Sequence, residues 1–370
     1  MAAKSSVTVA ELRCADCDSP PPGVEAWSCS RCGGPFELER WSSPAPEWPD
    51  RGGGLWRFAG WLPLEHVVSL GEPETALVEV RRAGGGRATC KLEGGLPTGS
   101  FKDRGSAALI SRLASTGAGS IAVDSSGNAG ASLAAYCAAA GIAARIYVPA
   151  AASPAKLVQI EAYGAELVRV PGTRADVAAA AAAGAGGGRA YASHIWSPFY
   201  LVGTQTFAFE LTAQLGGKPP DAVFFPLGAG SLLLGSYLGF RALRDAGLTS
   251  SLPRVYGVQA AACAPFHAAW TQTPARPCEA SLAEGLLIAK PPRLSAVLAA
   301  VRETGGEILA VEEAAIAGAV MKLARQGVYA EPSAAVAWAG LETVSEEENA
   351  VVALTATGLK ATPSIEKLLR

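Results

Sequence analysis

The stretch Pro97-Thr98-Gly99-Ser100-Phe101-Lys102-Asp103-Arg104-Gly105 places one lysine where a glycine-punctuated turn gives way to a helix, since Gly105 to Leu113 is rich in Ala, Leu and Ile. Ser100 is the expected N-cap. The unpaired amides of a first helical turn, with the positive end of the helix dipole, lower the pKa of a partly buried ammonium beside them. A lysine so placed is suited to forming a Schiff base with a carbonyl cofactor. Taken alone, Lys102 reads foremost as a solvated lysine at a helix start, the commoner situation for a lysine.

Three further segments bear on that choice. Asp124-Ser125-Ser126-Gly127-Asn128-Ala129-Gly130 follows a β-like run (Ser120 to Val123) and precedes an alanine-rich helix (Ala131 to Ala140). A strand, a polar turn and a helix start together make an anion cradle. Phe224-Phe225-Pro226-Leu227-Gly228-Ala229-Gly230-Ser231 runs a strand into glycines and then a helix (Leu232 to Leu243). Small residues there admit a phosphate to the backbone amides, although an ordinary tight turn looks the same. Val351-Val352-Ala353-Leu354-Thr355-Ala356-Thr357-Gly358-Leu359-Lys360 is a buried-type strand ending on a hydroxyl and a glycine turn.

In this order the four segments resemble the pyridoxal-phosphate enzymes of the threonine synthase, serine/threonine dehydratase and cysteine synthase superfamily, threonine synthases being the nearest match. The likeness runs from about Leu64 to Leu369. Ser153, Pro154, Lys156, Gln159 and Gly164-Ala165-Glu166-Leu167-Val168 extend it, as does Glu331-Pro332-Ser333-Ala334. It implies an α/β protein of fold-type II, with two mostly parallel αβα lobes and a homodimeric state. It also implies roles. Lys102 would hold pyridoxal 5'-phosphate and shuttle protons, and Asn128 would bond the cofactor's phenolic oxygen. Ser125, Ser126 and Gly127 would take the substrate carboxylate, while Gly228, Ala229, Gly230 and Ser231 would cradle the cofactor phosphate. Thr355 would face the pyridine nitrogen, where a neutral hydroxyl suits elimination and replacement at Cβ or Cγ better than transamination.

The likeness has a gap. Threonine synthases acting on O-phosphohomoserine usually carry an arginine that grips the substrate phosphate, and Tyr200 stands at that place in Ser197-Pro198-Phe199-Tyr200-Leu201. Ala129 likewise replaces a frequent threonine. One neutral hydrogen bond does not substitute for a bidentate guanidinium, so Arg104 or Lys156 would have to take over. His194, beside Tyr191 and Ser193, is a further candidate for substrate contact, against a structural role. Glu284, in Ser281-Leu282-Ala283-Glu284-Gly285, either meets the substrate or is a solvated loop carboxylate.

Cys14, Cys17, Cys29 and Cys32 form two C-x2-C pairs, the spacing of a zinc ribbon that brings four thiolates into a tetrahedron. A structural Zn2+ is expected over a disulfide or redox pair, because four thiolates leave no open position. Cys90, Cys137, Cys263 and Cys278 show no paired spacing, and Cys137 reads as a core residue on an apolar helix.

The organisation expected is a ribbon over 1–38, a Pro- and Trp-containing linker over 39–60, and a catalytic domain over 61–370 whose small lobe, roughly 99–190, is inserted in the large one. Strands such as Ala76 to Val80, Arg145 to Val148, Glu166 to Val170, Ala222 to Phe225 and Val255 to Gln259 alternate with helices, as parallel sheets require. Ala175 to Gly188 is helix-prone and of low complexity. At 370 residues, 49% hydrophobic content and a net charge of −2, the chain has no built-in attraction to nucleic acid or anionic membrane. A cytoplasmic protein without signal peptide, membrane span or regulatory domain is expected.

The sequence therefore points to removal or replacement of a leaving group on a small amino acid. Threonine synthase-like chemistry comes first. A serine/threonine ammonia-lyase or a phosphoserine-using, cysteate synthase-like β-replacement enzyme is the alternative within enzymes. A non-catalytic cofactor or amino-acid binding protein is the alternative outside them.

Overall fold

A computed structural model of the chain describes residues 12–23, 26–39, 41–50, 52–65, 67–152, 154–344 and 349–370, without the side chains of 154–156. Ser153, the side chain of Lys156 and the first eleven residues expected in the ribbon lie outside the described residues. Two compact units result. One takes the described residues up to Glu72 together with Lys102–Thr206, the other Pro73–Phe101 with Phe207–Arg370.

In chain order the strands are β1 (Leu12–Cys14), β2 (Phe36–Leu38), β3 (Leu77–Arg81), β4 (Arg87–Leu92), β5 (Ser120–Asp124), β6 (Ala143–Pro149), β7 (Glu166–Val170), β8 (Arg189–Tyr191), β9 (Ala222–Pro226), β10 (Arg254–Ala260), β11 (Ile308–Val311) and β12 (Ala350–Leu354). In the first unit, β1 and β2 form an antiparallel pair, and a separate four-stranded parallel sheet has the order β7-β6-β5-β8. Parallel neighbours cannot be joined by tight turns. The crossovers are α2 (Asn128–Ala140), α3 (Pro154–Ala162) and α4 (Arg174–Ala183), with α1 (Lys102–Ser115) before and α5 (Pro198–Thr204) after them.

Small side chains let these helices approach closely. Ala129 to Cys137 of α2 are all buried, and a Cβ on Gly130 would collide with the Ser125 carbonyl oxygen. Between α1 and α5, a Cβ on Gly203 would collide with the Arg104 carbonyl, and one on Gly105 with the Tyr200 ring. The low-complexity run becomes α4 because Thr173 and Asp176 form a capping box, each side chain accepting from the other's backbone N–H. The segment expected to be a linker contains a 3-10 helix, Gly54–Trp61, whose Leu55 and Phe58 are fully buried.

The second unit is built on a six-stranded sheet of order β11-β10-β9-β12-β4-β3, parallel except for the antiparallel edge strand β3. Its helices are α6 (Thr206–Gln214), entering from the first unit's last residue, then α7 (Ser231–Asp245), α8 (Pro265–Trp270), α9 (Leu294–Glu303), α10 (Glu313–Ala324), α11 (Pro332–Leu341) and α12 (Thr362–Glu366). β9 and β12 are neighbours at the centre and wholly buried. α11, also buried along its whole length, packs across β9, β10 and β12. Cys263, just after β10, is disulfide-bonded to Cys278, a pairing that chain spacing did not indicate. Among the described residues, no helix is long and apolar enough to cross a membrane.

One ion pair lies dry in this unit. Lys91 on β4 and Glu210 on α6 are both fully buried, with Nζ 2.7 Å from Oε1. Gln214 accepts a second hydrogen bond from Lys91, and the Thr75 N–H donates to Glu210. Buried charges are tolerated only when paired and hydrogen-bonded. Glu210→Ala leaves the ammonium uncompensated and should destabilise the protein by about 3–5 kcal/mol, seen as a lower urea midpoint. The double variant Lys91→Met, Glu210→Met should recover most of that loss; equal loss in both would show that charge is not the cause.

Candidate active site

Lys102 is the first residue of α1 and is half-buried. Ser100 does not cap the helix as expected. It forms a bridge with Ala356, and its buried Oγ has no hydrogen-bond partner among the described residues. Pairing with Ala356 draws Ser100 away from the helix start. α1 is instead fixed by side chains of its own unit. The Tyr200 hydroxyl donates to the Lys102 carbonyl (3.1 Å), the Ser132 hydroxyl donates to Asp103 (2.6 Å), and Arg104 donates to the Thr206 hydroxyl (3.2 Å).

Tyr200 is thus completely buried and engaged with the backbone of Lys102. Burial, then the charge of Asp103, hold its phenol pKa well above the ordinary value. Arg104 is fully buried as well. His194 is buried with its ring edge-on to Tyr200 at 6.0 Å, and its Nδ1 has no partner among the described residues. Burial, followed by the charges of Lys102 and Arg174, pushes its pKa well below the usual histidine value. His194 is therefore a neutral imidazole at pH 7, able to exchange hydrogen bonds but not to offer a cation.

Ser125, Ser126 and Gly127 link β5 to α2, with Gly127 in the cap position and Asn128 opening the helix. The loop is anchored through the residue before it. The Asp124 carboxylate accepts from the Tyr191 hydroxyl (2.6 Å) and pairs with Arg174 (2.6 Å), whose Nη2 also donates to the Asp124 carbonyl (2.8 Å). Sequence reasoning missed this clamp. Only the adjacency of Asp124 to the Ser-Ser-Gly loop pointed toward it.

In the second unit, Gly228, Ala229 and Gly230 connect β9 to the fifteen-residue α7, which Ser231 opens. Gly230 has a left-handed φ of 87°, and a Cβ there would come within 2.7 Å of Val297 Cγ2. A Cβ on Gly228 would lie 3.1 Å from the Leu286 Cα. The first-turn amides of a helix lack intrahelical partners and face an anion with the dipole's positive end. Thr355 follows β12 directly, is buried, and takes the Phe101 N–H on its carbonyl (2.8 Å). Glu284 is exposed on a 3-10 turn, Glu284–Leu286, that abuts Gly228. The turn is held by Gly285 N–H to Ser333 Oγ (3.2 Å) and by Ser281 and Leu282 donating to Glu313.

Each unit taken by itself carries groups that suit part of pyridoxal phosphate or an amino acid: the first a primary amine at a helix start and a polar loop ahead of α2, the second a glycine turn at the N-terminus of α7 and a buried threonine after β12. The cysteines form a separate cluster in the first unit. All four Sγ atoms lie within 4.8 Å of one another, with Cys14–Cys32 and Cys17–Cys32 at 3.4 Å and Cys17–Cys29 at 3.6 Å. A tetrahedron with ~2.3 Å metal–sulfur bonds has edges of ~3.8 Å. The Ser19 hydroxyl beside Cys17 lowers that thiol's pKa to about 6.

Comparison with known proteins shows the family. The pyridoxal-phosphate dependent enzyme family matches residues 68–358. The chain is 31% identical to the threonine synthase of Methanosarcina acetivorans, over 89% of this chain and 85% of that one. It is 32% identical to the threonine synthase of Methanocaldococcus jannaschii, over 83% and 80%. Among solved structures, maize serine racemase superposes with a TM-score of 0.67 at 20% identity, over 80% of this chain and 92% of that one, a likeness of fold. With its lysine at the head of α1 and its glycine cradle at the head of α7, the chain belongs to the pyridoxal-phosphate dependent enzymes.

Proposed function

We propose that the chain is a threonine synthase-like carbon–oxygen lyase that converts O-phospho-L-homoserine and water to L-threonine and phosphate. The observation that carries this reading is Lys102 at the first position of α1, in a chain similar to threonine synthases over most of its length. When bound, pyridoxal phosphate supplies an electron sink that makes the substrate's Cα proton acidic. Lys102 holds the cofactor and moves protons at Cα and further along the substrate chain. Gly228, Ala229, Gly230 and Ser231 bind the cofactor phosphate, Asn128 its ring oxygen and Thr355 its ring nitrogen. Ser125, Ser126 and Gly127 bind the substrate carboxylate. Glu284 covers the site, and His194 offers a neutral hydrogen bond. Tyr200 fixes the backbone of Lys102. The enzyme acts as a cytoplasmic homodimer of ribbon, linker and catalytic domain, and Cys14, Cys17, Cys29 and Cys32 hold a structural Zn2+.

A second reading has its own support. Tyr200 is buried where related enzymes carry a phosphate-gripping arginine, Arg104 is buried, and His194 is neutral. An unphosphorylated substrate needs no such cation, which favours an ammonia-lyase or β-replacement activity.

Incubation of cofactor-loaded protein with O-phospho-L-homoserine, in parallel with O-phospho-L-serine, L-threonine and L-serine, separates the two. Threonine and phosphate are expected from the first; keto acid or a β-replacement product from another would establish the second reading. Lys102→Ala should abolish turnover and the visible absorbance of bound cofactor, and retention of both would place the cofactor lysine elsewhere.

The cysteine assignment is tested by metal analysis. The double variant Cys14→Ser, Cys17→Ser should lose its bound zinc; unchanged metal content would rule the site out.

A further inference from the structure

Within the first unit, the cysteine ribbon touches the segment that carries the candidate site. Trp27 lies between the two C-x2-C pairs, two residues before Cys29. Its indole meets Tyr191 edge-on, with centroids 5.0 Å apart at 69°, and meets Trp196 at 5.0 Å and 77°. β2 of the ribbon packs against α5, the helix bearing Tyr200. Tyr191 is the residue whose hydroxyl holds Asp124, and Ser125 is next in the chain. Trp196 lies two residues beyond His194. One indole therefore abuts both ends of the segment 191–196, and one of its contacts leads by a single hydrogen bond to the substrate-carboxylate loop.

We propose that Trp27 is a positioning residue for the Ser125–Gly127 loop, and that metal bound by the four cysteines sets substrate affinity by holding Trp27 in place. The role of that loop rests on the reaction assigned above. Among the described residues, the ribbon's β1–β2 pairing is three residues long on each strand, and next to Trp27 it is extended by the Ser28–Pro35 bridge and the Cys29 N–H to Gly34 carbonyl bond; thiolate ligation would tie these short pieces together and so fix the span carrying Trp27. Edge-on aromatic packing holds the Tyr191 ring at the angle from which its hydroxyl reaches Asp124. With Trp27 removed, Tyr191 and Trp196 both lose that neighbour, while Lys102 and the cofactor cradle keep every contact described above. Binding of the amino acid weakens and the chemical step does not.

The test uses full-length protein loaded with zinc and cofactor. In Trp27→Ala, amide hydrogen exchange without substrate should quicken in peptides covering 122–130 and 189–200, and not in peptides of β9 or β12. KM for O-phospho-L-homoserine should rise roughly tenfold with kcat within about twofold, the pattern of lost binding alone. Trp27→Phe should restore both, zinc content should be unchanged, and wild-type protein stripped of zinc by a chelator should reproduce the Trp27→Ala pattern. Unchanged exchange at 122–130 with zinc retained would overturn the proposal, as would equal loss of kcat without rescue by Phe. If Trp27→Ala does not fold, Tyr191→Phe removes only the hydroxyl to Asp124; it should raise KM with zinc retained, and an unchanged KM overturns the proposal. Because exchange needs no substrate, absence of turnover alongside quickened exchange would count against the reaction and leave this inference standing.

Discussion

Two hydrogen bonds, Phe101 N–H to the Thr355 carbonyl and Thr357 N–H to the Gly99 carbonyl, tie the turn before Lys102 to the end of β12. Residues more than 250 positions apart thereby become one structural piece. The pairing tolerates almost no added bulk. Gly99 is left-handed, with a φ of 86°, and a Cβ there would come 3.1 Å from Thr357 Cγ2. A Cβ on Gly94 would lie 2.7 Å from the Thr357 nitrogen. Lys360 closes the arrangement by donating to the Thr98 carbonyl at 2.7 Å. Within the second unit, the end of the central strand β12 thus fixes the backbone of the turn 98–101 through main-chain pairing before any side chain is considered.

What could be read along the chain was whatever is written in short, contiguous patterns. Glu166–Val170 is a strand with the bounds its apolar run predicts, and Leu232 to Leu243 lies inside α7. The two C-x2-C pairs do form one cluster. Backbone preference and local spacing suffice for such features. The misses share a different cause. Ser100 looks like a helix cap, yet strand-like pairing with Ala356 outcompetes that local role. Lys91 and Glu210 are 119 residues apart, and Trp27 and Tyr191 are 164 apart by their numbering, with nothing in either neighbourhood to announce the other. Tyr200 looked like a weak replacement for a substrate-binding arginine. In the fold its hydroxyl is committed to the Lys102 carbonyl and its ring fills the space over Gly105.

Charge is distributed unevenly in the first unit. Arg104 is buried against Thr206, and Arg174 is engaged twice by Asp124. His194 stays neutral because desolvation outweighs protonation. The polar groups close to the helix start are consequently neutral or already paired with protein partners. Interactions among such groups rest on hydrogen bonds more than on unscreened charge, and so depend weakly on ionic strength.

The disulfide between Cys263 and Cys278 has an implication of a different kind. It closes the segment holding α8 at its base, where Glu279 N–H also donates to the Ala262 carbonyl at 2.8 Å. Residues 271–277 between these closures and α8 are all exposed. Lengthening a loop whose ends are already held costs little, because closure entropy grows only with the logarithm of length. This tip is therefore the place where a longer insertion, a peptide tag or a whole extra module can be grafted, with β10 behind it left undisturbed.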